Sequence, residues 1–361
     1  MKKITAKLFP KKKSAKKPER ITNATVAEHR ERILSGGSRF KYPVQYTRQQ
    51  LVLIAAAIGV AVVVLFAAFS WWQLYRAGTT SQFFYRMTRV IPVPVAQVDG
   101  ENVRYSDYLL NYRGPENYLT TIENVDKNST DEGDRAQFDR LRAEAMRNAV
   151  NDTYAAKLAR ENDVTVSDEE VEEAITRQRQ TTSQGEVTQE TYNRSLRRSF
   201  DRSPEENSYN LKQNILRQKV AYAIDDKAST MADRIESHIE RAETVEFESM
   251  LEDLREEYPE MQVATAGWVK PSNPDGGLAA AAAKLEKGEV VGPLKPLTGD
   301  GYYFLKLVDR NANDDINYAQ LRVPLLEFSA RVERLYEEGK VRHYISVPDI
   351  TPQVQLEDSK E

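Results

Sequence analysis

Side chains able to carry out covalent chemistry are few in this chain and lie far apart. The 361 residues include no cysteine and only three histidines, His29, His238 and His343. The histidines lack the spacing of a metal site or of a nucleophile and its base, and thiolate ligands and thiol nucleophiles are excluded. No glycine-rich stretch has the spacing of a phosphate-binding turn. We therefore expect no metal, no other cofactor and no hydrolytic triad.

An aromatic segment near the C-terminal end offers a different kind of chemistry. GYYFLKLVDR, from Gly301 to Arg310, has the apolar content of a strand and follows the turn sequence TGDG. Tyr303 carries a phenol that can donate a hydrogen bond inside an apolar pocket, with Trp268 and Phe304 as candidate walls. The alternative, that these are ordinary buried sheet residues, stays open. Since successive strand residues face opposite sides, Tyr303 and Phe304 cannot both face one pocket.

The longest apolar segment runs from Leu51 to Trp72 and contains no charged residue. At 1.5 Å per residue, a helix of this length spans a bilayer core of about 30 Å. It is longer, and lies later in the chain, than the apolar core of about 7 to 15 residues in a cleaved signal peptide. The sequence therefore predicts one retained transmembrane helix, with the lipid bilayer as a partner through Leu51 to Trp72.

Charge divides the chain at the same place. Residues 1–49 contain 14 lysines and arginines against three glutamates, a net charge of +11, whereas the remainder carries −15. Because basic flanks stay on the cytoplasmic side, we expect the N-terminus in the cytoplasm and the C-terminal region outside it. The basic run KKKSAKK, residues 11–17, has a sufficient role in orientation and contact with anionic lipid, so we expect no nucleic-acid partner.

Two stretches predict how the chain leaves the membrane and begins to fold. SQFFYRMTRVIPVPV, residues 81–95, mixes apolar and basic residues with two prolines, which predicts an extended linker. VAQVDGENVRYSDY then predicts a short strand, a turn at Asp99 and Gly100, a second strand, and a helix capped by Ser106.

Capping signals mark two of the later helices. In NDVTVSDEEV, Ser167 and Glu170 have the spacing of a capping box. Ser203 followed by Pro204 has the pattern of a cap and first helical residue, and an apolar stripe follows it. Linked helices without an embedded polar cluster indicate a scaffold and a binding surface.

Two of these segments carry a resemblance to a known family. VAQVDGENVRYSDY resembles the opening of SurA-like extracytoplasmic chaperones, and ARENDVTVSDEEVEEAI resembles a later step between two of their helices. The layout is similar to that of membrane-anchored foldases of the PrsA and PpiD type, in which a helical module is joined to a parvulin-type prolyl isomerase domain. The resemblance covers roughly Val95 to Asp309.

The parvulin-like part is matched in separate pieces. In chain order these are Phe247 in VEFESMLEDLREEYPE, the strand GWVKP, the segment AAAAAKLEKGEVVGPLKPL and the final strand GYYFLKLVDR. Two departures stand out. The histidine-bearing first strand is missing from its usual place before Met231, and the second family histidine maps to Tyr303. We predict that a later strand, beginning at Ile316 in INYAQLRVPLLEF, fills the gap by pairing with Tyr302 to Val308.

These patterns and the resemblance together predict an α+β fold that is mostly helical. The predicted parts are a basic cytoplasmic segment (1–49), a transmembrane helix (50–75), a linker (76–94), a SurA-like helical chaperone domain (95–228), a divergent parvulin-like domain with a C-terminal strand and helix (229–348), and a disordered tail (349–361).

The function that the resemblance implies is that of a bacterial, membrane-anchored extracytoplasmic foldase or holdase. Its partners would be unfolded or newly translocated polypeptides, near a translocon, and its isomerase domain would be degenerate. Prolyl isomerisation needs only a pocket that holds a twisted amide, so the missing histidines leave activity undecided. Two alternatives remain: an active isomerase with a non-histidine pocket, and a structural envelope assembly factor with one dedicated partner.

Overall fold

Helices account for most of the secondary structure, and the strands form small antiparallel sheets, which confirms the α+β class. The computed structural model describes residues 22–37, 48–180, 186–242, 244–296 and 299–348. The run KKKSAKK and the predicted disordered tail lie outside the described residues. The chain divides into two units, Met1–Phe69 and Ser70–Glu361.

The first unit contains helix α1 (Asn23–Gly37) and most of helix α2 (Arg48–Tyr75). The most apolar part of α2 has a mean hydropathy of 3.0, and none of it is buried within the protein. Within the described residues, α2 is the helix whose length and composition would allow it to cross a bilayer. Its position agrees with the predicted apolar span.

The second unit begins with the last turns of α2 and continues as a mainly helical region. Its elements up to residue 224 are α3 (Gln82–Val90), β1 (Pro94–Val98), β2 (Glu101–Arg104), α4 (Tyr105–Thr121), α5 (Glu132–Glu161), α6 (Asp168–Gln180), α7 (Gln189–Phe200) and α8 (Pro204–Ile224). The prediction of an extended linker over residues 81–95 was wrong for its first part, which is α3. A helix forms there because Phe84, Tyr85 and Thr88 lie on one side and are buried.

Local capping signals agree with the structure where the side chain reaches the backbone. The Ser167 amide donates to Glu170 at 2.8 Å, and the Glu170 amide donates to the Ser167 hydroxyl at 3.3 Å, which confirms that capping box. Ser203 forms a second box with Glu206. The predicted cap at Ser106 was wrong, because α4 begins one residue earlier and Ser106 is buried in its first turn.

A second group of elements forms a layer of sheet and short helices. It comprises α9 (Asp226–Ile239), α10 (Phe247–Leu254), β3 (Gln262–Val269), α11 (Leu278–Ala282), β4 (Val290–Leu294), β5 (Gly301–Arg310) and β6 (Ile316–Pro324). The strands lie in the order β3-β6-β5-β4, and all neighbours are antiparallel. Tyr302 lies opposite Val323, and Leu307 lies opposite Tyr318, which confirms the predicted pairing of β6 with β5.

The chain then returns to the first group through α12 (Glu327–Glu337) and β7 (Val341–His343). Strand β7 pairs with β1, so a second sheet has the order β2-β1-β7. The α12 residues Phe328, Val332 and Leu335 belong to the core that α4, α5 and α8 share. We call residues 70–224 with 327–348 the helical lobe, and residues 226–326 the sheet lobe.

This return corrects the predicted boundary between domains. The sequence assigned residues 229–348 to the parvulin-like domain, and its predicted C-terminal strand, β6, does lie in the sheet lobe. The predicted C-terminal helix, α12, instead completes the core of the helical lobe, and β7, which was not predicted as a strand, completes its sheet. Without β7, one edge of β1 would be exposed. The strand that covers this edge is distant from β1 in sequence, so a local pattern does not reveal the pairing. The sheet lobe is therefore inserted into the helical lobe, and the chain passes between the lobes twice.

One buried carboxylate lies where both crossings meet. Asp225 Oδ1 accepts a hydrogen bond from the Ala228 amide at 2.9 Å at the start of α9. Its Oδ2 accepts from the amides of Leu326, at 2.7 Å, and Glu327, at 3.0 Å, where the chain re-enters the helical lobe. The Asp225 side chain thus caps two helices: α9, where the chain enters the sheet lobe, and α12, where it returns to the helical lobe.

Candidate functional site

The sheet lobe has two faces with different covers. Tyr302, Phe304, Leu321 and Val323 pack against α9 and α10, and we call this side the α10 face. The opposite side, the α11 face, packs against α11 and includes these residues: Tyr303, Leu305, Leu307, Ile316 and Tyr318. Tyr303 and Phe304 therefore point in opposite directions, as strand alternation predicts.

Tyr303 lies on the α11 face with its hydroxyl group held by an acidic neighbour. The hydroxyl donates to Asp300 Oδ2 at 3.0 Å, and Arg322 pairs with the same carboxylate at 2.9 Å. The Arg322 guanidinium also lies 6.0 Å from the centre of the Tyr303 ring. Burial, and then the Asp300 charge, raise the pKa of Tyr303 to about 12. The phenol is therefore a neutral donor that is already engaged, and the α11 cluster buries its ring.

Trp268 is turned away from Tyr303 by a β-bulge. Thr265 lies opposite Ala319 and Trp268 lies opposite Asn317, so three steps along β3 match two steps along β6. The extra residue falls at Gly267, whose φ of +70° favours glycine. Trp268 thereby faces the same side as Thr265, which is the α10 face, and 53% of its surface is exposed.

The three aromatic residues that the sequence suggested as one pocket do not line one. Tyr303 is buried on the α11 face, Phe304 is fully buried on the α10 face, and Trp268 is exposed on that same face. Neither Trp268 nor Phe304 therefore forms the wall of a pocket around Tyr303. The structure leaves Trp268 as the member of the set that a large molecule in solution can contact.

A cavity of about 380 Å³ opens on the α10 face where α10 stops covering the sheet. Phe247 of α10, with Thr265, Val308 and Ala319 of the sheet, contributes to its lining. Two ion pairs flank it: Lys306 with Glu246 at 2.8 Å, and Lys287 with Asp309 at 3.1 Å. Since the two lysines in the lining are paired, and Phe247, Val308 and Ala319 contribute apolar surface, the cavity suits an apolar side chain better than an anion.

The strand beside this cavity is an edge of the sheet. Among the described residues, β3 pairs with β6 on one side and has no strand on the other. Its exposed side chains include Ala264, Thr265 and Trp268. An edge strand presents unpaired amide and carbonyl groups to which an extended chain can add as a further strand. A strand added there would have side chains opposite Thr265, which lines the cavity, and opposite Trp268, which lies further along the same edge.

Sequence reasoning missed this cavity because its lining comes from α10, β3, β5 and β6, which are separated along the chain. One local signal was present. A glycine directly before Trp268, inside a strand pattern, indicates a bulge and therefore a change in the direction of the next side chain.

A smaller polar pocket of about 190 Å³ lies in the helical lobe among α3, α4 and α8. Arg89 pairs with Glu206 at 3.1 Å, and the Tyr209 hydroxyl donates to Asp107 Oδ1 at 3.2 Å. Burial raises the pKa of Asp107, while the Tyr209 hydrogen bond and the charge of Arg104 act in the opposite direction. No pattern in the sequence indicated that Asp107 would be half-buried in such a pocket.

Asp107→Asn is expected to raise the melting temperature at pH 7. The pKa of Asp107 is raised in the folded chain, so ionisation is less favourable there than in the unfolded chain. The resulting loss of stability is absent below the unfolded pKa of about 4 and grows as the pH rises through the window up to the folded pKa. Thermal unfolding between pH 4 and pH 8 checks this, and the two chains should converge at the acidic end. Asp253→Asn, at an exposed position on α10, is the control, and a lower melting temperature for Asp107→Asn at pH 7 would contradict the prediction.

The histidines lie on separate elements: His29 on α1, His238 on α9 and His343 on β7. Within the described ranges, no group of three histidine or acidic side chains is arranged to hold a metal ion.

Comparison with known proteins gives a match to a protein family over part of the chain. Residues 45–221 match the family described as the SurA-like N-terminal domain, a range that runs from just before α2 into α8. The chain thus contains a SurA-like N-terminal domain, which supports a relationship to SurA/PpiD-like proteins and a chaperone-type function. The match ends before the sheet lobe. No curated protein and no solved structure matches the chain.

Proposed function

We propose that this protein is a membrane-anchored extracytoplasmic chaperone that binds unfolded or newly translocated polypeptides. The observation that carries the proposal is the match of residues 45–221 to a SurA-like N-terminal domain. The apolar length of α2 supports an anchor, and the basic residues before it support a cytoplasmic N-terminus. On this basis the two lobes face the compartment into which polypeptides emerge, near a translocon.

The binding mode that we propose is strand addition at the edge of β3. Backbone hydrogen bonds to β3 give affinity that tolerates many sequences, as a chaperone requires. Trp268 then supplies aromatic contact area, and the neighbouring cavity accepts an apolar side chain of the bound segment. The surrounding net negative charge keeps chaperone molecules from associating with each other.

We further propose that the sheet lobe is a parvulin-like domain without isomerase catalysis. Strand β6 lies between β3 and β5. This position supports the proposal that β6 takes the place of the family's histidine-bearing first strand, which is missing from its usual position in the chain. Tyr303 stands where the second histidine is expected, but its hydroxyl group is engaged by Asp300. A catalytic donor must be available to the twisted amide of the substrate, and these contacts support a structural role for Tyr303.

Trp268→Ala is expected to weaken binding of an unfolded polypeptide by about thirtyfold, since a central aromatic contact is typically worth ~2 kcal/mol. Fluorescence anisotropy of a labelled, permanently unfolded protein, with the full-length chain in nanodiscs, measures this. Tyr344→Ala is the matched control, because Tyr344 is another exposed aromatic residue but lies in the helical lobe. Equal affinities for the unchanged chain, Trp268→Ala and Tyr344→Ala would reject β3 as the binding site.

The same preparation should give no acceleration of cis–trans conversion in a proline peptide. The Tyr303→Phe variant is then expected to give the same uncatalysed rate as the unchanged chain. Catalysis by the unchanged chain that is lost on Tyr303→Phe would instead support an active isomerase with a non-histidine pocket. Absence of both catalysis and binding to unfolded protein would favour the assembly factor with one dedicated partner.

A further inference from the structure

We propose that the outer face of α3 lies in the membrane interface and thereby orients the helical lobe against the bilayer. The inference rests on the membrane anchoring in the proposed function and extends it. A single anchor followed by a linker would leave the lobes free to tumble, whereas a second contact with the lipid holds one side of the protein down.

Helix α3 is amphipathic, and its exposed side is apolar as well as basic. Phe84, Tyr85 and Thr88 are buried in the helical lobe. On the outer side, Val90 is 83% exposed, and Ile91, directly after the helix, is 54% exposed. Exposed apolar residues beside basic ones on a short helix are typical of a segment that lies at a membrane surface.

The position of α3 brings this surface to the end of the apolar span. The Ser70 hydroxyl lies 4.0 Å from the sulfur of Met87, and Leu74 shares a core with Phe84 and Tyr85. Since Ser70 and Leu74 are in the last turns of α2, α3 packs beside the point where α2 would leave the bilayer. Trp71 and Trp72 are exposed in these same turns, as expected for aromatic residues at the interface. The outer side of α3 is therefore at headgroup depth.

The charge of this region fits the phosphate groups of lipids. Between Leu51 and Val98 there is no acidic residue, and Arg76, Arg86 and Arg89 follow the span. The chain after residue 49 has a net charge of −15, so this stretch is a basic exception in an acidic region. Arg89 pairs with Glu206 at 3.1 Å, and Arg86 and Arg76 are exposed. Basic side chains at this depth contact headgroups while apolar neighbours enter the boundary of the acyl chains.

The absence of cysteine from the chain permits a direct test with single spin labels. The full-length protein is reconstituted into vesicles of phosphatidylcholine and phosphatidylglycerol as Val90→Cys, Val62→Cys or Val308→Cys. Val62 lies in the apolar part of α2, and Val308 is an exposed valine in the sheet lobe. Electron paramagnetic resonance then compares the collision rate of each label with oxygen, which enters lipid, and with a water-soluble nickel reagent.

The label at Val90 is expected to show an oxygen-to-nickel ratio severalfold above that at Val308 and below that at Val62. Equal ratios at Val90 and Val308, with the Val62 label in lipid, would overturn the α3 contact and leave the anchor intact. A Val90 label shielded from both reagents would also overturn it, since that pattern indicates cover by protein. A Val62 label open to the nickel reagent would reject the anchor itself, and the α3 contact with it.

Discussion

Asp225→Ala is expected to lower the free energy of unfolding by about 3–5 kcal/mol, because the loss of a buried charged acceptor leaves several amides without a partner. Asp225 is only 3% exposed, and its carboxylate accepts bonds from the amides of Ala228, Leu326 and Glu327. Ala228 is fully buried, and Leu326 and Glu327 are half-buried, so these amides retain part of their desolvation penalty in the variant. Urea unfolding of the full-length chain, followed by circular dichroism, measures the change.

The neighbouring Asp226 supplies a matched control. It is exposed in the first turn of α9 and contributes through the helix dipole alone, so Asp226→Ala should cost about 1 kcal/mol or less. Similar losses for the two variants would contradict the role assigned to Asp225. Since Asp225 joins both crossings between lobes, we also expect its removal to broaden or split the unfolding transition, while Asp226→Ala keeps the shape of the original one.

Gly292→Ala is expected to destabilise the sheet lobe by roughly 2–4 kcal/mol through overpacking and backbone strain. Gly292 has a φ of +150°, and a Cβ atom there would lie 2.5 Å from Cδ1 of Phe304 and 2.7 Å from the carbonyl oxygen of Tyr303. The carbonyl oxygen belongs to the central part of the sheet and the Phe304 ring is fully buried, so neither can move without disturbing neighbours. Thermal unfolding of the full-length chain measures this loss.

Gly288, just before β4, separates the effect of the clash from that of backbone conformation. Its φ is +85°, but a Cβ atom there would meet nothing within 4 Å. Gly288→Ala should therefore cost only about 1 kcal/mol, the penalty of a left-handed backbone for an L-residue. A Gly292→Ala loss no larger than that of Gly288→Ala would mean that β4 shifts to make room, and that the packing of β4 on Phe304 is loose.

The features that the sequence predicted well depend on neighbouring residues. The length of the apolar run in α2 and the capping box of Ser167 and Glu170 are properties of short segments, and both are present in the structure. The pairing of β6 with β5 was also accessible, because one short turn joins them, β5 is a nearly continuous apolar run, and apolar residues recur along β6. The SurA-like segments belong to the same group, since a family pattern is carried by local sequence.

Contacts between distant segments decided the rest. Strand β7 completes a sheet with β1, and α12 fills the core beside α5, although each pair of partners is far apart along the chain: β1 ends at Val98 and α5 at Glu161, whereas α12 begins only at Glu327. Many segments have the apolar pattern needed to cover an edge or a core, and only the packed chain determines which one does so. The direction of Trp268 depends on the register of β3 against β6, where one extra residue reverses the side that it faces.

This sequence by itself therefore determined the apolar span, the helix caps at Ser167 and Ser203, and the family resemblance, because each is encoded within a few turns of chain. Only the tertiary structure decided that the sheet lobe is inserted into the helical lobe and that Trp268 is exposed whereas Tyr303 is buried. It also decided which side of α3 stays exposed, since burial of Phe84 and Tyr85 against Leu74 depends on the whole core.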